Sequence, residues 1–88
     1  MKIEIKQLNE NEIQSMGIRK WSIWTKEISS FDWYYDSQEM CLILEGQATI
    51  KSEFEEVVIK KGDYVVFPVG LKCVWKITEP IKKHYNFK

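Results

Sequence analysis

The sequence predicts an all-β protein, a single small sandwich or barrel of antiparallel strands with one short N-terminal helix. Three observations carry that prediction. Segments rich in Val, Ile, Trp, Tyr and Phe recur from Trp21 onward, at the roughly 8–12-residue spacing, with turn signals between, that marks sandwiches and barrels. A helix-start signal occurs only near Asn9. The length of 88 residues, 44% of them hydrophobic and 30% charged, suits one compact core. With no linker, repeat or low-complexity tract, residues 1–88 read as one domain. Residues 1–20 form a strand and helix that cover a barrel made by residues 21–88.

The elements follow in order. Ile3 and Ile5 alternate with charges from Lys2 to Lys6, the period-2 pattern of a half-buried strand. Asn9 and Glu12 have capping-box spacing, Leu8 and Ile13 stand as a staple, and Gly17 ends a helix of two turns at most. Trp21 to Lys26 and Phe31 to Tyr35 are strand-like, and Asp36-Ser37-Gln38 is a turn. Met40 to Leu44 is apolar throughout, and Gly46 after it is expected to open a hairpin. Ala48 and Ile50 alternate with polar neighbours. Ser52 to Glu55 turns, and Val57 to Ile59 is the next strand. Lys60 to Asp63 is a tight turn with Gly62 at the positive-φ position. Tyr64 to Phe67 follows, stopped by Pro68-Val69-Gly70. Leu71, Cys73, Trp75 and Ile77 then share one face and predict the barrel interior. Glu79-Pro80 is expected to break that strand, leaving a last short one from His84 to Phe87.

Charge and composition exclude several function classes. Thirteen Lys+Arg balance thirteen Asp+Glu, and Arg19 is the only arginine, which argues against a nucleic-acid partner. No apolar run reaches the ~18–20 residues of a membrane span. The charged start, Met1 to Lys6, lacks the apolar stretch of a signal peptide. The expectation is a cytoplasmic protein in which Cys41 and Cys73 are reduced and buried. Four Trp, four Tyr and four Phe exceed what so small a core absorbs. They point to an aromatic-lined cavity or a subunit interface.

Two spaced segments are more specific. Glu39 stands six residues before Gly46, and Gly62 is followed after five residues by Pro68 and then Gly70. These spacings resemble the two motifs of the cupin family, G-(x)5-H-x-H-(x)3–4-E-(x)6-G and G-(x)5-P-x-G-(x)2-H-(x)3-N. The resemblance implies a double-stranded β-helix, or jelly-roll barrel. Trp21-Ser-Ile-Trp24, Lys26-Glu27, Phe31-Asp-Trp33, Tyr35-Asp36 and Lys61-Gly-Asp63 look like the single-domain cupins related to ureidoglycine aminohydrolases. That likeness runs from about Trp21 to Tyr85.

Metal-dependent cupins hold their ion with the histidines and glutamate of these motifs. By position the glutamate is Glu39 and the second-motif histidine falls on Cys73, with the closing asparagine on Ile77. The histidine pair falls on Trp33 and Tyr35, or on Asp32 and Tyr34 in the longer spacing. No imidazole remains in either frame, and the one histidine, His84, lies outside and reads as a surface or interface residue. The expectation is no metal and no other cofactor, with aromatic bulk replacing the ion and Cys73 a small buried hydrophobe. A metal on Glu39, Cys73 and Cys41 is the minority alternative.

Glu39 is the best catalytic candidate. Its strand puts it with Cys41 and Ile43 on the inward face. A carboxylate there is either a proton-transfer group raised by burial, or a structural acceptor from a Tyr hydroxyl or Trp N–H. Tyr34 and Tyr35 are adjacent, so one of them shares the interior. Trp75 with Trp33 or Tyr35 makes an aromatic wall for a flat or sugar-like ligand, or simply fills the core. Lys72, Lys76, Lys82 and Lys83 either attract an anion or form a solvated face. The expected function is the binding of a small polar or aromatic metabolite by Trp33, Tyr35, Glu39, Cys73 and Trp75. An enzyme of the aminohydrolase group using Glu39, and a structural dimer without ligand, are the alternatives. Met40, Leu42 and Leu44 need cover on the outward face, from the N-terminal segment and from a second copy, so a homodimer is expected.

Overall fold

A computed structural model describes residues Met1–Lys88. The strands are β1 (Glu4–Gln7), β2 (Ser22–Lys26), β3 (Ser29–Tyr34), β4 (Glu39–Ser52), β5 (Glu56–Lys60), β6 (Asp63–Phe67) and β7 (Lys72–Phe87). One helix, α1 (Glu10–Met16), and a 3₁₀ turn (Ile18–Lys20) lie between β1 and β2. Every strand pairing is antiparallel. The layout is the all-β jelly roll that the sequence predicts.

The two long strands organise it. The first part of β4 pairs with β6 and the last part of β7, giving the order β1-β6-β4-β7-β2. The second part of β4 pairs with β5 and with the first part of β7, which in turn carries β3. Two sheet layers therefore share the same central ladder, with Tyr35, Ile43, Ile50, Phe67, Trp75 and Ile81 among the core between them.

The corner between the layers corrects two sequence expectations. Gly46 opens no hairpin and Pro80 breaks no strand, because β4 and β7 run through both positions with register shifts between Ile43 and Ala48. Gly46 has φ +92°, and a Cβ there would collide with the Pro80 carbonyl. Glycine is the residue for a strand that bends against another backbone, and proline fits at a bulge where no ladder donor is required. The segment His84–Phe87 is consequently the end of β7 and not a separate strand.

The helix forms as its cap predicts. Asn9 Oδ1 accepts from the Glu12 N–H at 2.8 Å, Glu12 Oε1 accepts from the Asn9 N–H at 3.0 Å, and Gly17 closes the end at φ +68°. This segment delivers Ile18, fully buried, onto Leu42 and Tyr64, with Leu8, Ile13 and Trp21 packed around them. The outward side of β4 thus has its own small apolar core. β1 is less regular than its alternation suggests. Ile3, just before it, is buried, while Ile5 is exposed on the edge strand beside β6.

Candidate functional site

Register decides which side chains meet inside the barrel. On β4, Glu39, Cys41 and Ile43 face inward, opposite Phe87, Tyr85 and Lys83 of β7. Trp24 of β2 stands directly beside Lys83. Lys83 therefore points into the core, and its Nζ donates to Glu39 Oε2 at 2.7 Å, both side chains almost completely buried. The ammonium lies 4.9 Å from the Trp24 ring centroid, 4.8 Å from Trp75 and 6.0 Å from Phe67. Carboxylate and aromatic faces together hold a charge that burial alone would expel.

The pair forms part of the wall of a cavity of about 170 Å³. Trp24, Phe31, Tyr35, Trp75, Tyr85 and Phe87 supply most of the rest, with Trp33, half-exposed, beside them. The rings brace one another. Tyr35 stacks on Phe67 at 4.7 Å, Phe31 lies parallel to Trp75 at 6.1 Å, and Trp24 meets Trp75 edge-on at 5.9 Å. Trp75 Nε1 donates to the Tyr35 hydroxyl at 3.2 Å. Backbone bonds fix Tyr35 itself: its N–H donates to the Leu71 carbonyl, and its carbonyl accepts from Gly70. Burial, with the Glu39 charge nearby, raises the Tyr35 phenol.

The thiols are held in the protonated form. Cys41, completely buried, is pushed up to about 12, chiefly by desolvation. Cys73 is pushed up to about 11, by desolvation first and by the Glu39 charge second. Both are free cysteines. The chain does not assemble the donor set of a metal-dependent cupin. No group of three or more His, Cys, Asp or Glu side chains comes together. Glu39 already serves the Lys83 ammonium, both cysteines favour the neutral thiol, and no histidine lines the cavity. The residues do not fit the metal that the fold family implies, and a tethered ammonium supplies the positive charge beside Glu39.

Of the residues singled out from sequence, Trp33, Tyr35, Glu39 and Trp75 line the cavity. Cys73, buried in the core with Trp75 and Ile77, is absent from that lining and instead borders a second, more open groove with Trp33, Tyr34, Phe54 and Lys72. Tyr35, not Tyr34, is the buried member of its pair. Three expectations need correction. The partner of Glu39 is Lys83, not a Tyr hydroxyl or Trp N–H. Lys83 does not belong to a solvated lysine face. His84 is buried on the outward side, its Nδ1 3.1 Å from the Trp21 carbonyl. A carbonyl only accepts, so this nitrogen carries the proton. The sequence conceals Lys83 and its neighbour Trp24, because Pro80 reads as the end of β7. Ile81, Lys83, Tyr85 and Phe87 alternate in the sequence, and that period-2 signal places Lys83 inward.

The rolled sheet, the glycine and proline turns and the inward glutamate define a cupin. Residues 14–85 match the EutQ-like cupin domain, and the chain belongs to that family. It is similar to a DUF861 family protein from Thermotoga maritima, at 45% identity and TM-score 0.97 over 99% of this chain and 100% of that one. The Clostridium difficile EutQ protein shares the fold at 18% identity and TM-score 0.68, over 74% of this chain and 52% of its own. A cupin superfamily protein from Desulfitobacterium hafniense shares it at 14% identity and TM-score 0.61, over 96% of this chain and 74% of that one. No curated protein matches the chain.

Proposed function

We propose that this cupin is a metal-free binding module that takes one small ring-shaped metabolite into its aromatic cavity. The observation that carries the reading is the buried Glu39–Lys83 pair in an otherwise aromatic wall. Two charges taken out of water stabilise a fold poorly, and apolar residues of similar volume would do as well or better. Their presence beside a cavity is economically explained by a ligand with a polar edge. Size agrees with this: a cavity of ~150 Å³ accommodates a benzene ring, and this one is about 170 Å³. Convergent polar groups in an apolar concavity are the usual form of a small-molecule site. The test is a thermal-shift screen of single-ring metabolites at millimolar concentration, followed by tryptophan fluorescence titration. The expected result is saturable binding that raises Tm by a few degrees, as ligand linkage requires. A flat response across the panel would remove the reading.

The same carboxylate supports a second reading. The sequence likeness to ureidoglycine aminohydrolases implies proton transfer by Glu39 on a small nitrogenous or sugar-like metabolite. NMR of bound ligands over hours separates the two, since an enzyme converts what a binding module only holds. A cytoplasmic setting agrees with the free thiols. Exposed Ile28, Trp33 and Tyr34, on and beside the edge strand β3, favour a homodimer. Sedimentation equilibrium tests that assembly.

A further inference from the structure

We infer that the ligand is an uncharged ring bearing an N–H or O–H donor, and that Glu39 Oε1 receives that donor. This deepens the binding-module reading and rests on it. Glu39 Oε2 is occupied by Lys83 Nζ. No buried side-chain polar atom in the protein lacks a partner. Oε1 bonds no protein group, so it is open to the cavity that Glu39 lines. An ionised carboxylate only accepts, so its complement is a donor. Two other polar groups nearby, Trp75 and Lys83, are already engaged, and the Tyr35 and Tyr85 hydroxyls are uncharged beside the carboxylate. Trp75 Nε1 donates to the Tyr35 hydroxyl, and Lys83 Nζ is held against Glu39 and the faces of Trp24 and Trp75.

The charge state follows from the pair. Glu39 and Lys83 cancel, so the pocket offers no net charge to an ion leaving water. An anion near Oε1 meets the carboxylate. A cation there meets the Lys83 ammonium, which already takes the aromatic faces that would favour it. An uncharged donor avoids both repulsions and the larger desolvation cost of an ion. Phenols, lactams and N–H heterocycles of one ring belong to this class. The cavity volume limits them to about a ring and its small substituents.

The experiment is a matched series titrated by tryptophan fluorescence on the native protein: phenol, 2-pyridone, anisole, toluene, benzoate and benzylammonium. Phenol and 2-pyridone are expected to bind at least about tenfold more tightly than toluene and anisole, the scale of a hydrogen bond to a charged acceptor. Benzoate and benzylammonium are expected to bind more weakly than phenol. Equal binding of phenol and toluene would overturn the donor assignment while leaving ring binding intact. Tightest binding by either ion would overturn the charge assignment. No binding by any of the six would overturn this inference, while the wider metabolite screen decides the binding-module reading separately. E39Q, checked for folding by circular dichroism, gives a second readout. It should reduce the preference for phenol over toluene at least about threefold, and an unchanged preference would count against Oε1.

Discussion

The two faces of the β4–β7 ladder use the same backbone for opposite purposes. Inward, Glu39 and Lys83 carry two charges among aromatic rings around a cavity. Outward, one residue over, Leu42 and His84 lie under Ile18 and Trp21 in a second core built largely of apolar side chains. A jelly roll ordinarily places its apolar side within and its polar side against water. Here a short N-terminal segment closes the outer face with packing, while the inner face carries a buried ion pair, an arrangement that commonly stabilises a fold no better than apolar packing of similar volume. The difference separates residues packed under the N-terminal segment from residues that line the cavity.

The largest expected effect comes from breaking the inner pair on one side. Lys83→Met leaves the Glu39 carboxylate buried among rings without its counter-charge. A stability loss of about 3–5 kcal/mol is expected, measured by urea unfolding at pH 7. At the scale of a small domain that lowers Tm by more than about 10 °C. The outer face should respond next. Leu42→Ala removes packing beneath Ile18 and Tyr64 and should cost about 2–4 kcal/mol. Ring binding in the cavity should persist, since Leu42 points away from it. Loss of binding in Leu42→Ala at a temperature where the variant is folded would show that the faces are coupled.

Most of the fold and part of the site can be read from the sequence. The cap at Asn9, the turn at Gly62 and the face shared by Leu71, Cys73, Trp75 and Ile77 are local patterns, and local patterns are legible. The inward position of Glu39 follows from motif spacing and strand parity. What escapes is the corner. Gly46 and Pro80 look like terminators when each is read alone, yet each accommodates the other where two long strands bend together. Parity shifts across the bulge in β4, from Ile43 to Ala48, whereas β7 keeps it from Ile77 to Ile81 and Lys83. It is the apparent strand end at Pro80 that hides Lys83 and its partner. His84 is obscured for a related reason: its burial depends on a segment more than sixty positions earlier in the chain.

Alkaline pH gives a smaller effect that acts through both thiols. Their ordinary value is 9.0, and folding raises Cys73 to about 11 and Cys41 to about 12. Above pH 9 the unfolded chain releases these protons while the folded chain keeps them. Stability that is fully present below pH 9 should therefore fall as pH rises through 11 and 12, with the raised Tyr35 phenol acting in the same direction. Urea midpoints at pH 7, 9 and 10 test this. A midpoint that climbs from pH 9 to 10 would contradict the sign. Alkylation at pH 8 should likewise be slow in native buffer and fast in urea, because the folded thiols are neutral.

The smallest change in stability is expected from the most radical edit of the inner face. Glu39→Leu with Lys83→Met removes both charges together and leaves neither side chain orphaned. Buried ion pairs exchanged for apolar residues of similar volume are commonly neutral, or stabilising by about 1–4 kcal/mol. The double variant should then match or exceed the parent in urea, although either charge removed alone costs several kcal/mol. Its cavity keeps the rings but loses the open carboxylate acceptor in the wall. Phenol should bind it no better than toluene does. If the double variant were as unstable as Lys83→Met, the pair would be structural, and the contrast between a packing face and a binding face would fail. A stable double variant that has lost its preference for donors assigns the pair to the ligand, because packing alone then suffices for the fold.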